Sequence, residues 1–259
     1  MTTRRSPHST WATYLHGFHA ERPGITERIL ARCQAGGVDP YEWCAEPLAR
    51  QPGRILDLAC GSGPMADRLP SWLGADTSAA ELGAARERER GPLLRASATR
   101  LPMPASTFDA VVCSMSMQII EPITDALAEM SRVLKPGGQA VLLLPASGPV
   151  PWRDAMTYAR LQVALRRKLG YPNDRALRSA PLGLATSGVG LRVTHDERLG
   201  FSLPLDTRAD ADELLASLYL PEVDPLRLAA GRHVLDGKIG GELTVPLRRV
   251  VLTRSGTAA

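Results

Sequence analysis

Arg54-Ile-Leu-Asp-Leu-Ala-Cys-Gly-Ser-Gly-Pro-Met-Ala66 reads as a buried strand, a glycine turn and the start of a helix. Ile55, Leu56 and Leu58 supply the apolar strand. Gly61 and Gly63 let the backbone turn sharply and come close to a ligand, because neither carries a Cβ. With Ala66 they satisfy the G-x-G-x-x-G/A pattern of a dinucleotide loop, in which helix-terminal N–H groups hold an anion. A tight turn that binds nothing would satisfy it equally. Asp57 separates these readings from a third. A carboxylate just upstream of the turn repels a diphosphate and attracts an ammonium or a sulfonium.

The following segment, Leu73-Gly-Ala-Asp76-Thr-Ser, ends a second strand on another carboxylate, about one helix and one strand further on. An acid at that strand tip can take both hydroxyls of a ribose. Thr77 and Ser78 suit a helix N-cap, and the plainer reading of Asp76 is that it too caps the helix beginning near Ala79.

Four segments in this order make the chain resemble the class I S-adenosylmethionine-dependent methyltransferases. Asp57-Leu-Ala-Cys-Gly-Ser-Gly63 is similar to their first motif and Gly74-Ala-Asp76-Thr-Ser to their ribose-binding segment. Leu101-Pro-Met-Pro and Thr107-Phe-Asp-Ala-Val-Val-Cys-Ser114 resemble the approach to their fourth strand and the strand itself. Arg132-Val-Leu-Lys-Pro-Gly-Gly138 resembles the turn before their fifth. The resemblance covers roughly residues 50 to 145. It implies an α/β fold, a doubly wound seven-stranded sheet in the order 3-2-1-4-5-7-6 with the last strand antiparallel. It also implies S-adenosyl-L-methionine as cofactor, held by Asp57, Ala59, Gly61, Gly63, Asp76 and Thr77. The backbone carbonyl of Ser114 would receive the methionine ammonium. One position departs from the family: Ser97 stands where an acid often holds the adenine amino group, so adenine recognition falls to its hydroxyl or to the backbone of Ala98.

Expected strands lie at 54–58, 72–75, about 92–95, 109–113 and 139–144, with helices near 64–69, 79–89 and 122–134. Beyond Pro145 the pattern changes to helices at 153–168 and 174–187. Two extended pieces follow, from Leu191 and from Glu197, then a helix at 207–219 begun by Thr207 or Asp210 and a final strand from Glu242 to Thr253. Residues 1–8 read as a disordered tail and 9–50 as helices, one of them capped by Thr26. The reading divides the chain into this tail, an N-terminal helical lid at 9–50, and a core at 51–259 that includes a helical insertion at about 146–187.

Length and composition bound the rest. A chain of 259 residues suits one α/β domain with additions. Aromatics make up 5%, too few for a surface built to stack bases. The net charge of +4 is spread among arginines, with Lys135, Lys168 and Lys238 the only lysines. Nucleic acid is therefore disfavoured as partner, although the basic balance keeps an RNA methyltransferase among the alternatives. The absence of an Asn/Asp-Pro-Pro-Tyr/Phe motif leans against DNA adenine. Cysteines 33, 44, 60 and 113 form no C-x-x-C pair, which fits a reduced, cytoplasmic setting. The sequence shows no signal peptide and no membrane-length apolar run, and nothing in it specifies an oligomer.

The second unusual stretch is Thr13-Tyr-Leu-His-Gly-Phe-His-Ala-Glu-Arg-Pro-Gly-Ile-Thr26. His16 and His19 fall on one side of a helix. Without a third clustered ligand they make no metal site. Either can serve as general base for a substrate hydroxyl. Tyr14 can hydrogen-bond the methionine carboxylate and Arg22 can pair with it. Met117 and Gln118 follow the fourth strand and are expected to face the transferable methyl, Gln118 orienting a hydroxyl or amine of a small-molecule acceptor. The expected activity is in-line methyl transfer to an O, N or C nucleophile, in specialised metabolism or quinone synthesis. An NAD(P)-type oxidoreductase and a non-methylating nucleotide binder remain as alternatives.

Overall fold

The computed structural model describes residues 7–50 and 53–256. At its centre lies a seven-stranded sheet in the order β3-β2-β1-β4-β5-β7-β6. β1 (Ile55–Leu58), β2 (Trp72–Asp76), β3 (Leu93–Arg95), β4 (Phe108–Ser114) and β5 (Leu134–Pro145) run parallel. β7 (Gly241–Arg254) runs antiparallel to both β5 and β6 (Leu191–Leu205). Order and directions match those implied by the resemblance.

β1 shows how the strands are specified. All four of its residues are buried, as a central parallel strand requires. Side chains alternate between faces. Leu56 and Leu58 enter one core layer with Val111, Cys113 and Leu142, under α5 (Ile123–Val133) and α7 (Ser179–Gly188). Ile55 enters the other with Ala110, Val112 and Val141, under α2 (Ile25–Leu30), α3 (Pro40–Ala45), α6 (Trp152–Ala164), α8 (Arg208–Ser217) and α9 (Pro225–Asp236). Asp57 falls on that second face and meets Trp72 there.

Several sequence expectations are corrected. No helix forms at 64–69. The link from β1 to β2 is a run of turns that buries Met65 and Leu69, with Arg68 donating to the carbonyl of Pro64. The two extended pieces from Leu191 and Glu197 are one strand. β7 pairs with β6 along its length across a single irregularity at Val193/His195, and Arg248 and Arg249 of β7 bind Asp196 and Glu197. α9 was not anticipated, because only Gly231 and Leu235 of its residues are buried. Gly24, at φ +71°, caps α2 in place of Thr26. Ser78 caps α4 (Ala79–Glu87). Residues 1–6 of the expected tail lie outside the described residues, and α1 (Pro7–Glu21) begins inside it. Thr207 and Asp210 form the expected start of α8 as a reciprocal capping box.

Candidate functional site

The carboxyl ends of β1, β2 and β4 open onto one cavity of about 530 Å³, the size of a small-molecule site. The turn after β1 forms its floor. Ala59 and Gly61 both take φ +55°. Gly61 donates its N–H to Asp76 Oδ2 at 2.8 Å, while Asp76 Oδ1 receives the Ser78 N–H at 2.7 Å. Asp76 thus locks the glycine turn to the tip of β2. Its oxygens keep lone pairs toward the cavity, which they line, and burial raises its pKa. Since Ser78 is the cap of α4, Asp76 is left for another role.

Of the predicted site residues, His16, His19, Ala59, Gly61, Asp76, Thr77, Ser97, Ala98 and Ser114 line this one cavity. Ser97 is engaged locally: its hydroxyl bonds that of Thr99 at 2.9 Å and accepts the Thr99 N–H. The Ser114 carbonyl already accepts from the Ser116 hydroxyl at 3.0 Å, and the Ser114 hydroxyl is buried without a partner. Ser116 also donates to the Ala59 carbonyl, joining the tips of β1 and β4.

The others are elsewhere. Asp57 lies beneath the turn, 1% exposed, where Oδ2 accepts from Trp72 Nε1 at 3.1 Å and Oδ1 has no partner. Burial pushes its pKa up to about 7. Gly63 serves packing: at φ +77°, an added Cβ would stand 3.3 Å from Trp72 and from Arg90. The Tyr14 hydroxyl is taken by the Leu220 N–H at 2.8 Å. Arg22 is exposed over the Phe18 ring, 5.2 Å from its centroid. Met117 is fully buried in the core and does not face the cavity. Gln118 faces a different cavity.

That second cavity, of about 490 Å³, lies between α2, α6, α8 and the ends of β5 and β7. Its wall is mainly apolar, with Ile29, Leu161, Leu214, Leu243 and Val245 among the lining residues. Gln118 borders it and is 1% exposed. Its amide nitrogen donates to the Met115 carbonyl at 2.7 Å, so Oε1 is the other end, buried and unpaired. Thr26, Met115 and Tyr219 line both cavities and mark where they meet.

The electrostatics of the first cavity suit a cation. Glu27, Asp76, Glu81 and Glu121 line it with Arg95. Glu27 is already paired with Arg90 at 2.7 Å and Glu81 is bonded to His19, which leaves Asp76, held by backbone N–H groups, as a carboxylate of the wall outside any ion pair among the described residues. A diphosphate would also find no helix after the glycine turn to offer its N–H groups, which removes the physical basis of the dinucleotide alternative. An adenosyl sulfonium fits what is present: an acid at the β2 tip, an unpartnered serine hydroxyl at the β4 tip, and a carboxylate-rich wall. Among the described residues no group of three His, Cys, Asp or Glu could hold a metal ion.

Sequence reasoning missed Glu81 and Tyr219. Glu81, 5% exposed on α4, accepts from the Gly24 N–H at 2.9 Å and bonds His19 Nδ1 at 2.9 Å. Tyr219 bonds His19 Nε2 at 3.2 Å from 200 positions away, a separation that carries no local signal. Glu81 resembled any helix-surface acid.

Residues 56–142 match the family described as a methyltransferase domain. The demethylmenaquinone methyltransferase of Deinococcus radiodurans is 41% identical over 138 residues, covering 46% of this chain and 57% of that protein. The ubiquinone/menaquinone biosynthesis C-methyltransferase UbiE of Coxiella burnetii is 36% identical over 161 residues, covering 49% and 63%. The chain thus spans less than two thirds of the length of these relatives. Among solved structures, an S-adenosylmethionine-dependent methyltransferase of Thermotoga maritima, described as a possible histamine N-methyltransferase, superposes with a TM-score of 0.55 at 16% identity. The superposition covers 94% of this chain and 99% of that one. The cyclase SpnF superposes with a TM-score of 0.51 at 21% identity, covering 83% and 80%. At these identities the likeness concerns the fold alone. Sheet order and the antiparallel last strand agree with the fold of these structures, and residues 56–142 match a methyltransferase domain.

Proposed function

We propose that this protein transfers a methyl group from S-adenosylmethionine to a small, largely apolar acceptor. The observation that carries the reading is the pair of cavities meeting at Thr26, Met115 and Tyr219, one acid-lined at the strand tips and the other apolar. When bound, S-adenosylmethionine supplies an electrophilic methyl carbon whose thioether leaves without assistance. The chain's own residues then orient and exclude water. Asp76 would hold the ribose hydroxyls, Ala98 and Ser97 would border the adenine, and Ser114 with the wall carboxylates would receive the ammonium. α1 would cover this pocket, bringing His16 and His19. Gln118 Oε1 would orient the acceptor, since it accepts hydrogen bonds and has no other partner.

The relatives' names concern quinone methylation, and an apolar cavity agrees with an acceptor of that kind. Most of the second cavity comes from outside residues 56–142, so the family match does not choose the acceptor. The acid-rich first cavity and the sparse aromatics favour a small molecule over RNA. Among the described residues no helix is long and apolar enough to cross a membrane.

The test is a calorimetric titration with S-adenosylhomocysteine of the wild type and of Asp76→Ala, both checked for folding by circular dichroism. Saturable binding that weakens at least ~10-fold in the variant supports the reading, since a lost charge-assisted pair is worth more than 1.4 kcal/mol. Absence of binding to the wild type would refute it.

A further inference from the structure

Tyr219 lies where the two cavities meet, and behind it His19 and Glu81 form a hydrogen-bonded row. Both Glu81 oxygens accept, Oε2 from the Gly24 N–H and Oε1 from His19 Nδ1. A carboxylate at Nδ1 keeps the proton there and leaves Nε2 as a lone-pair acceptor. The Tyr219 hydroxyl therefore donates to Nε2. Thr26 also lines both cavities. With a donor spent on His19, the phenolic oxygen keeps acceptor capacity for a further proton. His19 itself lines only the first cavity, so an acceptor in the second cavity meets Tyr219 and not the imidazole.

We propose that Tyr219, His19 and Glu81 form a proton relay that takes the proton of a hydroxyl or N–H acceptor bound in the second cavity. The inference rests on the methyltransferase reading and adds the acceptor class: a heteroatom nucleophile that arrives protonated. In the step, the acceptor's O–H or N–H bond breaks and its electron pair stays on the heteroatom as the attacking lone pair. The proton passes to the Tyr219 oxygen while the phenolic proton passes to His19 Nε2. The phenol ends unchanged, and an imidazolium stands beside the Glu81 carboxylate. Burial raises the phenol's own pKa well above its usual range, so Tyr219 passes a proton on and does not wait as a tyrosinate. Tyr219 is the catalytic residue; His19 and Glu81 are positioning residues that act through it. The groups facing His19 are Glu81 of α4, Tyr219 beyond α8, Asp76 at the β2 tip and His16 on α1, with Glu27 of α2 on the same cavity.

Two substitutions separate a relay from a structural tie. Tyr219→Phe keeps the ring that packs on Phe18, His19 and Tyr171 and removes only the hydroxyl. His19→Gln can still accept from Tyr219 and donate to Glu81, but it cannot take up a proton. The wild type and both variants are first titrated with S-adenosylhomocysteine. Equal binding by all three leaves the relay as the only thing at issue, whereas no binding by the wild type is a failure of the methyltransferase reading. 2-Naphthol is then added to each complex in buffer where the free compound is neutral, and the absorption of its ionised form is read. Wild type is expected to hold it ionised, and both variants to hold it neutral. With S-adenosylmethionine, 2-naphthol turnover is expected to fall ~10²-fold in each variant. A neutral naphthol on wild type, an unchanged spectrum in His19→Gln, or no naphthol binding would each overturn the relay.

Discussion

Asp57 is a carboxylate spent on structure under the site. Burial lifts its pKa from 3.8 to about 7, with the Trp72 N–H as its only hydrogen-bond partner among the described residues. Below the unfolded-state value both folded and unfolded chains hold the proton, and burial brings no penalty of ionisation. As pH rises from about 4 toward about 7 the unfolded chain ionises first, so the fold loses stability across that window and levels off above it. Asp57→Asn removes this slope. Its stability relative to wild type, read by urea unfolding, is expected to grow between about pH 4 and pH 7, by no more than about 4 kcal/mol. Trp72 reaches Asp57 by folding over Gly74, where an added Cβ would stand 2.5 Å from the indole and 2.8 Å from Cys60 Sγ. Gly74→Ala is expected to cost about 1–3 kcal/mol and to change the tryptophan fluorescence, because the ring must leave the carboxylate. The glycines and acids of this region were legible as a ligand turn because each needs its residue type for a local reason. What they bind to within the fold was not. Asp57 and Gly63 looked like ligand contacts, yet both meet Trp72, a partner that only the β1–β2 pairing brings into reach.

The elements divide in the same way. β1, β2, β4 and β5 were legible because central parallel strands read as apolar runs between turn residues. The missing helix at 64–69 and the unforeseen α9 were not, since neither has a periodic apolar face to betray it or rule it out. α1 is the clearest case of an element held by distant chain. Phe18 is 3% exposed and packs edge-on to Tyr219, with ring centroids 4.6 Å apart, and Tyr14 accepts from the Leu220 N–H. Phe18→Ala is expected to remove about 3–5 kcal/mol of packing from the α1 contact. Because the sheet does not depend on α1, the loss should appear as local opening. Hydrogen exchange would accelerate in residues 7–21 and stay unchanged in 108–114; an equal acceleration in both would mean that α1 is part of the cooperative core.

Across the whole molecule, the site is assembled from three separate stretches. The N-terminal helices bring His16 and His19, the strand tips bring Asp76 and Ser114, and the segment after α8 brings Tyr219. A ligand that touches all three binds the folded chain and not the unfolded one, so it must stabilise the entire unit. At a concentration 100 times its dissociation constant, S-adenosylhomocysteine is expected to add about 2.7 kcal/mol. For a domain of this size that raises Tm by about 5–10 °C. Asp76→Ala should lose most of the shift. Phe18→Ala should lose part of it, because ligand energy is then used to dock α1 before it can stabilise the rest. The same coupling runs in reverse: S-adenosylhomocysteine should slow exchange in residues 7–21 of the wild type, although most of the pocket belongs to other elements. A full Tm shift in wild type with no protection of α1 would place the ligand on the strand tips alone, and the helix would then have no part in closing the pocket.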